Sequence, residues 1–522
     1  MLQIVNPQDA LAFGRLMEFL SPTPPWNRSL WSIGLVLGLR ELCEASTVLQ
    51  AGTLSEASVR RICSALQRKV GKDPALSTVE KNHLRQQINS VPKADGPAHH
   101  TVEQMARLLD ANYLQRWAQV VATPDFSIEL FARSVASHVL DMGFSAQYIH
   151  SVLKNKVRGD APVTLADMCE ELHGVQALCP IRPFNVLLAF PRLPKLTNGI
   201  PADWLRGEAV TGWLTENAFD TTNVRAQAAV VLTVDARDPG GAAQQARELS
   251  DRFAARTRIA TGEPLDRIPL LWVQGDETPA PLVGESRGVR VKELDREGRI
   301  FSAVPTSDSV EAALELLAHL DESSPSAAIA GGWGAIEGLL ADPGDRATAA
   351  DNLAALVACS FPRQELTSLS FKAASEFEHI NAVLGGKPTN RERSLIMAQL
   401  IQEGKMPALK ATADRAAVER LRKLLGDPSA ELQTVKDSIA DAFHRLYRQR
   451  NLILHGGRLN SVALKASLRT VSKLAGAGMD RITHGHYVQS LRPLELVARA
   501  NLSIALITKD KALSCVDLLE HK

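Results

Sequence analysis

The sequence is 522 residues long and carries 59 Lys and Arg against 58 Asp and Glu, a net charge of +1. That length suits about three domains, and the 45% apolar content suits a globular protein and excludes collagen-like or fully disordered chains. Six cysteines without a CxxC pair, a start with no basic-then-apolar leader, and short apolar runs such as Ile33–Leu39 and Leu502–Ile507 point to a reduced, cytoplasmic protein with no membrane segment and no cysteine-based metal site.

From residue 1 to about 175, apolar residues recur at helical spacing. The predicted helices are Asp9–Leu20, Leu30–Leu49, Ser55–Lys69, Thr101–Ala118, Ser127–Val139 and Ala146–Val157. Turn formers at Ser21–Pro25 and Pro92–Pro97 break the pattern. This N-terminal helical region carries no catalytic signature.

From about 176 to 305 the pattern changes. Phe184–Phe190, Ala228–Val234 and Ile268–Val273 are short runs rich in Val and Leu, as strands are, and Gly240–Thr257 is an alanine-rich helix. Gly288–Glu293 and Arg299–Ala303 read as a closing strand pair. Strand, helix, strand predicts a small central α/β or α+β layer. Asp238-Pro239-Gly240-Gly241 fits neither GxGxxG nor the longer GxxxxGK loop, so nucleotide binding gains no support there. Asp235 and Asp238 read as cap or turn residues.

From about 306 to the end the pattern is helical again, over Ser309–Leu320, Ala327–Leu340, Ala347–Ser360, Gln364–Leu384, Glu392–Gln402, Ala411–Leu425, Glu431–His455, Ser461–Lys473 and Thr483–Thr508. Gly476-Ala477-Gly478 reads as a break before the last of these. The fold class is therefore mainly α: two helical regions around a small mixed layer. Acids dominate from Pro305 to Asp351, whereas from Lys387 to Lys511 bases outnumber acids roughly two to one, the sign that suits RNA phosphates.

Inside that basic stretch lies Arg450-Asn451-Leu452-Ile453-Leu454-His455-Gly456-Gly457. A guanidinium can hold a phosphate, and an imidazole titrating near neutrality can move a proton. An Arg followed five residues later by His occurs three times, at Arg133 and His138, Arg450 and His455, and Arg481 and His486, so the setting has to decide. Leu432, Val435, Ile439, Phe443, Leu446 and Ile453 form one apolar stripe with a gap, and Arg450 fills the gap; Arg445 and Arg448 read as solvated charges. A guanidinium on such a stripe must be paired or line a polar cleft. Asn451 could orient the histidine or contact substrate, and Gly456-Gly457 should end the helix beside His455. His484 and His486 could ligate a metal, but spacing indicates no third ligand, and the expectation is no metal and no cofactor.

The same run, with the helix before it, resembles the C-terminal motif of HEPN domains, the all-helical ribonucleases of bacterial defence and toxin systems. Trp333-Gly334-Ala335-Ile336-Glu337-Gly338-Leu339-Leu340 resembles the Trp-plus-Glu helix near the start of Apea-like HEPN domains, and Ala228–Val273 loosely resembles the mixed region that often precedes them. The resemblance implies a HEPN-like bundle over residues 306–522, with Arg450, His455 and Asn451 as its site, RNA as substrate, and a homodimer with a composite cleft. Glu337 could pair with Arg450 or with a neighbouring base. The expected activity is metal-independent cleavage giving a 2′,3′-cyclic phosphate, in defence or growth arrest. The preceding regions would sense a trigger or regulatory protein. The alternative is a non-catalytic HEPN-like scaffold that dimerises or binds RNA.

Overall fold

A computed structural model describes residues 4, 6–22, 24–159, 162–194, 199, 201–284, 286–302, 308–387 and 389–520. Helices come first: α1 (Pro7–Phe19), α2 (Leu35–Gln50), α3 (Glu56–Lys72), α4 (Thr78–Gln87), α5 (Pro97–Val121), α6 (Ile128–Asp141), α7 (Ala146–Arg158) and α8 (Leu165–Leu178). A mixed stretch follows: β1 (Arg182–Phe190), β2 (Leu205–Arg206), α9 (Glu208–Glu216), β3 (Ala228–Ala236), α10 (Pro239–Thr261), β4 (Leu270–Val273), β5 (Ala280–Pro281) and α11 (Glu293–Arg296). The remainder is helical: α12 (Ser309–Glu322), α13 (Pro325–Leu340), α14 (Thr348–Glu376), α15 (Glu378–Gly385), α16 (Asn390–Gln402), α17 (Thr412–Gly426), α18 (Pro428–Leu454), α19 (Leu464–Tyr487) and α20 (Pro493–Leu506). None is long and apolar enough to cross a membrane among the described residues.

The chain divides into two compact units. One holds residues 139–155 and 171–286 and is built on a five-stranded antiparallel sheet in the order β2-β3-β1-β4-β5. Alternation along β1 explains its two faces. Phe184, Val186, Leu188 and Phe190 pack with Ala242, Ala243 and Ala246 of α10, while Leu187 and Ala189 pack with Trp272 and with Val210 and Leu214 of α9. Asp238 caps α10, accepting from the Gly241 amide at 2.9 Å and from the Ser145 amide at 2.8 Å, so it serves the backbone. Asp235 lies within β3. Residues 288–293 and 299–302 form no strand; Glu293 instead starts the short α11, and Ala303 lies outside the described residues.

The other unit holds residues 1–138, 156–170 and 287–522. Its centre is α14, whose Leu353, Leu356, Leu366 and Leu369 are fully buried and pack with α13, α16, α18 and α19. Two expected helix breaks do not occur. Pro362 lies inside α14, where burial on several sides outweighs one lost backbone hydrogen bond. Gly476 and Gly478 lie inside α19, where added Cβ atoms would meet Arg290 backbone at 2.6 Å and Leu353 Cδ1 at 2.2 Å. These glycines permit close packing and do not end the helix. Gly478→Val is accordingly expected to lower stability by about 1–3 kcal/mol through overpacking, read as a lower urea midpoint.

A buried ionic network ties the N-terminal helices to this core. Arg28 pairs with Glu365 at 3.0 Å, with Asp414 at 2.6 Å and with Glu18 at 3.2 Å. Arg15 pairs with Glu129 at 2.8 Å and with Glu18, and Arg420 reaches Glu365 at 2.9 Å. Burial alone would push the Glu365 carboxyl up, but Arg420 and Arg28 outweigh it and hold it below the ordinary range. Opposite charges on α1, α6, α14 and α17 thus satisfy one another out of water.

Candidate functional site

The site has to be built on α18, which Asp427 starts by accepting from the Ala430 amide at 3.1 Å. Apolar Leu432, Ile439, Phe443 and Leu446 press its stripe into the core, as their spacing dictates. Its last turns differ from the sequence expectation. Arg445 and Arg448 are buried, not solvated, because α2 covers that side of the helix. The Glu41 carboxylate receives Arg445 Nε at 3.0 Å and Arg448 Nη2 at 2.7 Å. Burial pushes the Glu41 carboxyl up, yet the two guanidiniums outweigh it and hold it below its usual value. Part of the basic surplus in this stretch is therefore neutralised inside the fold.

Arg450 is half-buried, and His455 is exposed at the C-cap of α18. On an unbroken helix the two would stand about 140° apart. The helix stops at His455, and the structure brings them together: Arg450 Nη1 lies 2.8 Å from His455 Nε2. The same Nη1 donates to Asn451 Oδ1 at 3.1 Å, so Asn451 steadies the guanidinium and not the imidazole. A guanidinium can only donate, so the facing imidazole nitrogen presents its lone pair. Gly457 adopts a left-handed φ of 61°, and the Arg458 amide returns to the Leu452 carbonyl at 3.0 Å, which is how the helix terminates. Leu454, Leu459 and Val462 are 52%, 51% and 46% exposed in the surrounding turn, an apolar rim beside the pair.

The other two Arg-His spacings are structural. Arg133 pairs with Glu129 at 2.6 Å and lies over the Trp31 ring, while His138 is buried against Tyr113. Arg481 is half-buried 3.9 Å from Glu520, and His486 bonds Asp308 at 2.9 Å. His484 bonds Glu293 at 2.6 Å. Both histidines sit in the last turn of α19, not near a helix start, and two residues apart on a helix they face about 200° apart. Glu337 bonds Trp333 and pairs with Arg346 at 3.2 Å, not with Arg450. Trp333 reaches α18 through Tyr447, ring to ring at 4.8 Å.

Sequence reasoning missed the groups lent by other elements. His444, buried on α18, faces Asp351 Oδ1 at 2.9 Å, and Arg61 of α3 reaches Asp351 Oδ2 at 3.0 Å. His444 raises the net attraction on Asp351, whose carboxyl is held below its usual value despite burial. Glu41 and Glu44 of α2 were detectable in principle, as carboxylates on or beside the buried face of an otherwise apolar helix. A groove of about 720 Å³ lined by Ser429, Gln433, Lys436 and Asn501 opens near the start of α18. Its nearest lining residue on α18, Lys436, lies about 28 Å along the helix from His455, too far to serve the pair. No known protein family, curated protein or solved structure matches this chain.

Proposed function

We propose that the chain is a metal-independent endoribonuclease of HEPN type, with Arg450 and His455 at its cleavage site and RNA as its substrate. The observation that supports this most is the 2.8 Å approach of Arg450 Nη1 to His455 Nε2 at the exposed end of α18. RNA carries its own nucleophile. When RNA binds, Arg450 turns from His455 Nε2 to the phosphate; the freed nitrogen takes the 2′-hydroxyl proton, the 2′-oxygen attacks phosphorus, and the bond to the 5′-oxygen breaks as that oxygen gains a proton. The products are a 2′,3′-cyclic phosphate and a 5′-hydroxyl. Arg450, steadied by Asn451, donates to the non-bridging phosphate oxygens as their charge grows.

One imidazole takes the first proton; the leaving oxygen lies on the opposite side of phosphorus and needs its own donor. A second copy packed on the rim of Leu454, Leu459 and Val462 would supply a second His455, which favours a homodimer with a composite cleft. In this reading the protein is a cytoplasmic effector of defence or growth arrest, and the N-terminal and central parts answer to a trigger or regulatory protein. The exposed rim alone equally suits a second reading, a non-catalytic scaffold that dimerises or holds RNA.

The test compares end-labelled RNA with the same strand bearing a single 2′-deoxynucleotide at the cut position, both in EDTA. Cleavage of the first and survival of the second is the expected result. Retention of both strands uncut on the protein would favour the scaffold, and equal cleavage of both would overturn the 2′-hydroxyl mechanism.

A further inference from the structure

The loop from His455 to Ala463 joins α18 to α19 and carries Arg458 and, in Leu459 and Val462, two of the three rim residues. Its first half is held by the helix stop already described. Its second half is held from elsewhere. Ser461, which is buried, donates its hydroxyl to Glu44 Oε2 at 2.7 Å. Glu44 stands one helical turn after Glu41, whose pairs with Arg445 and Arg448 fix α2 against α18. Beyond the end of α2, Thr53 packs on Gly456, where an added Cβ would lie 3.1 Å from Thr53 Cγ2 and 2.8 Å from the Leu452 carbonyl oxygen. The N-terminal region therefore grips the loop at Gly456 and at Ser461, on both sides of Arg458.

We propose that Glu44 is a positioning residue of the Arg450–His455 pair: by holding Ser461 it fixes the loop that leaves His455, and so the imidazole against the guanidinium. The proposal rests on reading that pair as a cleavage site. His455 is exposed and opens this loop, so the anchor at Ser461 complements the helix stop in limiting how far the chain beneath the ring can move. A misplacement of about 1 Å at a reacting group can cost up to about a hundredfold in rate.

The charge around Glu44 fits a clasp that loosens in acid. Burial pushes its carboxyl up, Glu41 on the same helix adds to the rise, and Ser461, Val462 and Arg458 pull it down, with the rise prevailing. Arg445 and Arg448 of α18 are engaged by Glu41. The ionised carboxylate accepts from Ser461; once protonated it keeps only part of its accepting capacity. Cleavage should therefore lose rate as pH falls through the raised Glu44 value.

The experiment uses the full chain with Glu44→Ala and Glu44→Gln, measuring single-turnover rate, KM, urea midpoint and the His455 imidazole resonances, assigned by their loss in His455→Ala. Glu44→Ala is expected to slow cleavage about tenfold with KM and the urea midpoint near native, and to shift the His455 resonances. Glu44→Gln, which can still accept from Ser461, should recover most of the rate and lack the acid limb. Native rate together with native resonances in Glu44→Ala would overturn the proposal. So would a rate loss that tracks a lower urea midpoint and is not recovered by Gln. If the native protein does not cleave RNA, the ribonuclease reading fails by itself and the resonances decide: shifted, the positioning role stands; unshifted, it falls.

Discussion

Replacing His455 by Ala is expected to abolish RNA cleavage, by about a thousandfold or more, while leaving the fold intact. The magnitude follows from the chemistry assigned to one side chain: general base catalysis contributes about a hundred- to ten-thousandfold, and the 2′-hydroxyl is a poor nucleophile until its proton is taken. Structural damage should be small because the ring is exposed at the helix end and its nearest polar contact is Arg450. Circular dichroism and a urea midpoint near native would establish this. Arg450→Lys is the informative companion, since an ammonium keeps the charge but lacks the planar fork and cannot reach Asn451 and the phosphate in the same way. Residual cleavage at the native rate in His455→Ala would remove this residue from the mechanism and direct attention to His444 beside Asp351.

Glu365→Ala should cost about 3–5 kcal/mol of stability, the expected scale for stripping one partner from a buried charge network. Glu365 is fully buried and receives Arg28, Arg420 and the Asn27 side-chain amide, so its removal leaves two guanidiniums without their shared counter-charge. The same network sets a pH dependence. The Glu365 and Glu129 carboxyls are held below their unfolded values, Glu129 far below. A depressed carboxyl stabilises the fold above the unfolded value, about 4.3, and loses that contribution as pH falls through the folded value. The native protein should therefore unfold progressively in acid below about pH 4, and Glu365→Ala should weaken that dependence. Urea titrations of both proteins at neutral and acid pH would measure it; a loss below about 1 kcal/mol at neutral pH would mean that the network relaxes around the gap.

Where the sequence was informative, the reason was local. The 3.6-residue stripe on α18, the glycines that stop it, and the alternation along β1 are properties of single segments, and periodicity alone defines them. The Arg450, Asn451 and His455 cluster was legible because a helix end and its cap lie within a few residues. Where the sequence misled, the deciding contact came from far along the chain. Arg445 and Arg448 look like surface charges until α2 places Glu41 over them, about four hundred residues away. Gly476 and Gly478 look like a helix break until Arg290 and Leu353 occupy the space a side chain would need.

The sequence by itself determined the long amphipathic helices and the main strands, that the chain is mainly α with a small central sheet, and which arginine and histidine share a helix end. It passed over α4, α8 and α9 and placed a strand pair at 288–293 and 299–302 that does not form. Only the tertiary structure decided which charges are buried and paired, that the N-terminal helices share a core with the C-terminal ones, and that Glu44 holds the loop beside His455. The physical reason is that helix periodicity is written in neighbours three and four residues apart. Burying an ion instead requires a counter-charge brought in by the fold, and nothing in the local pattern names that partner.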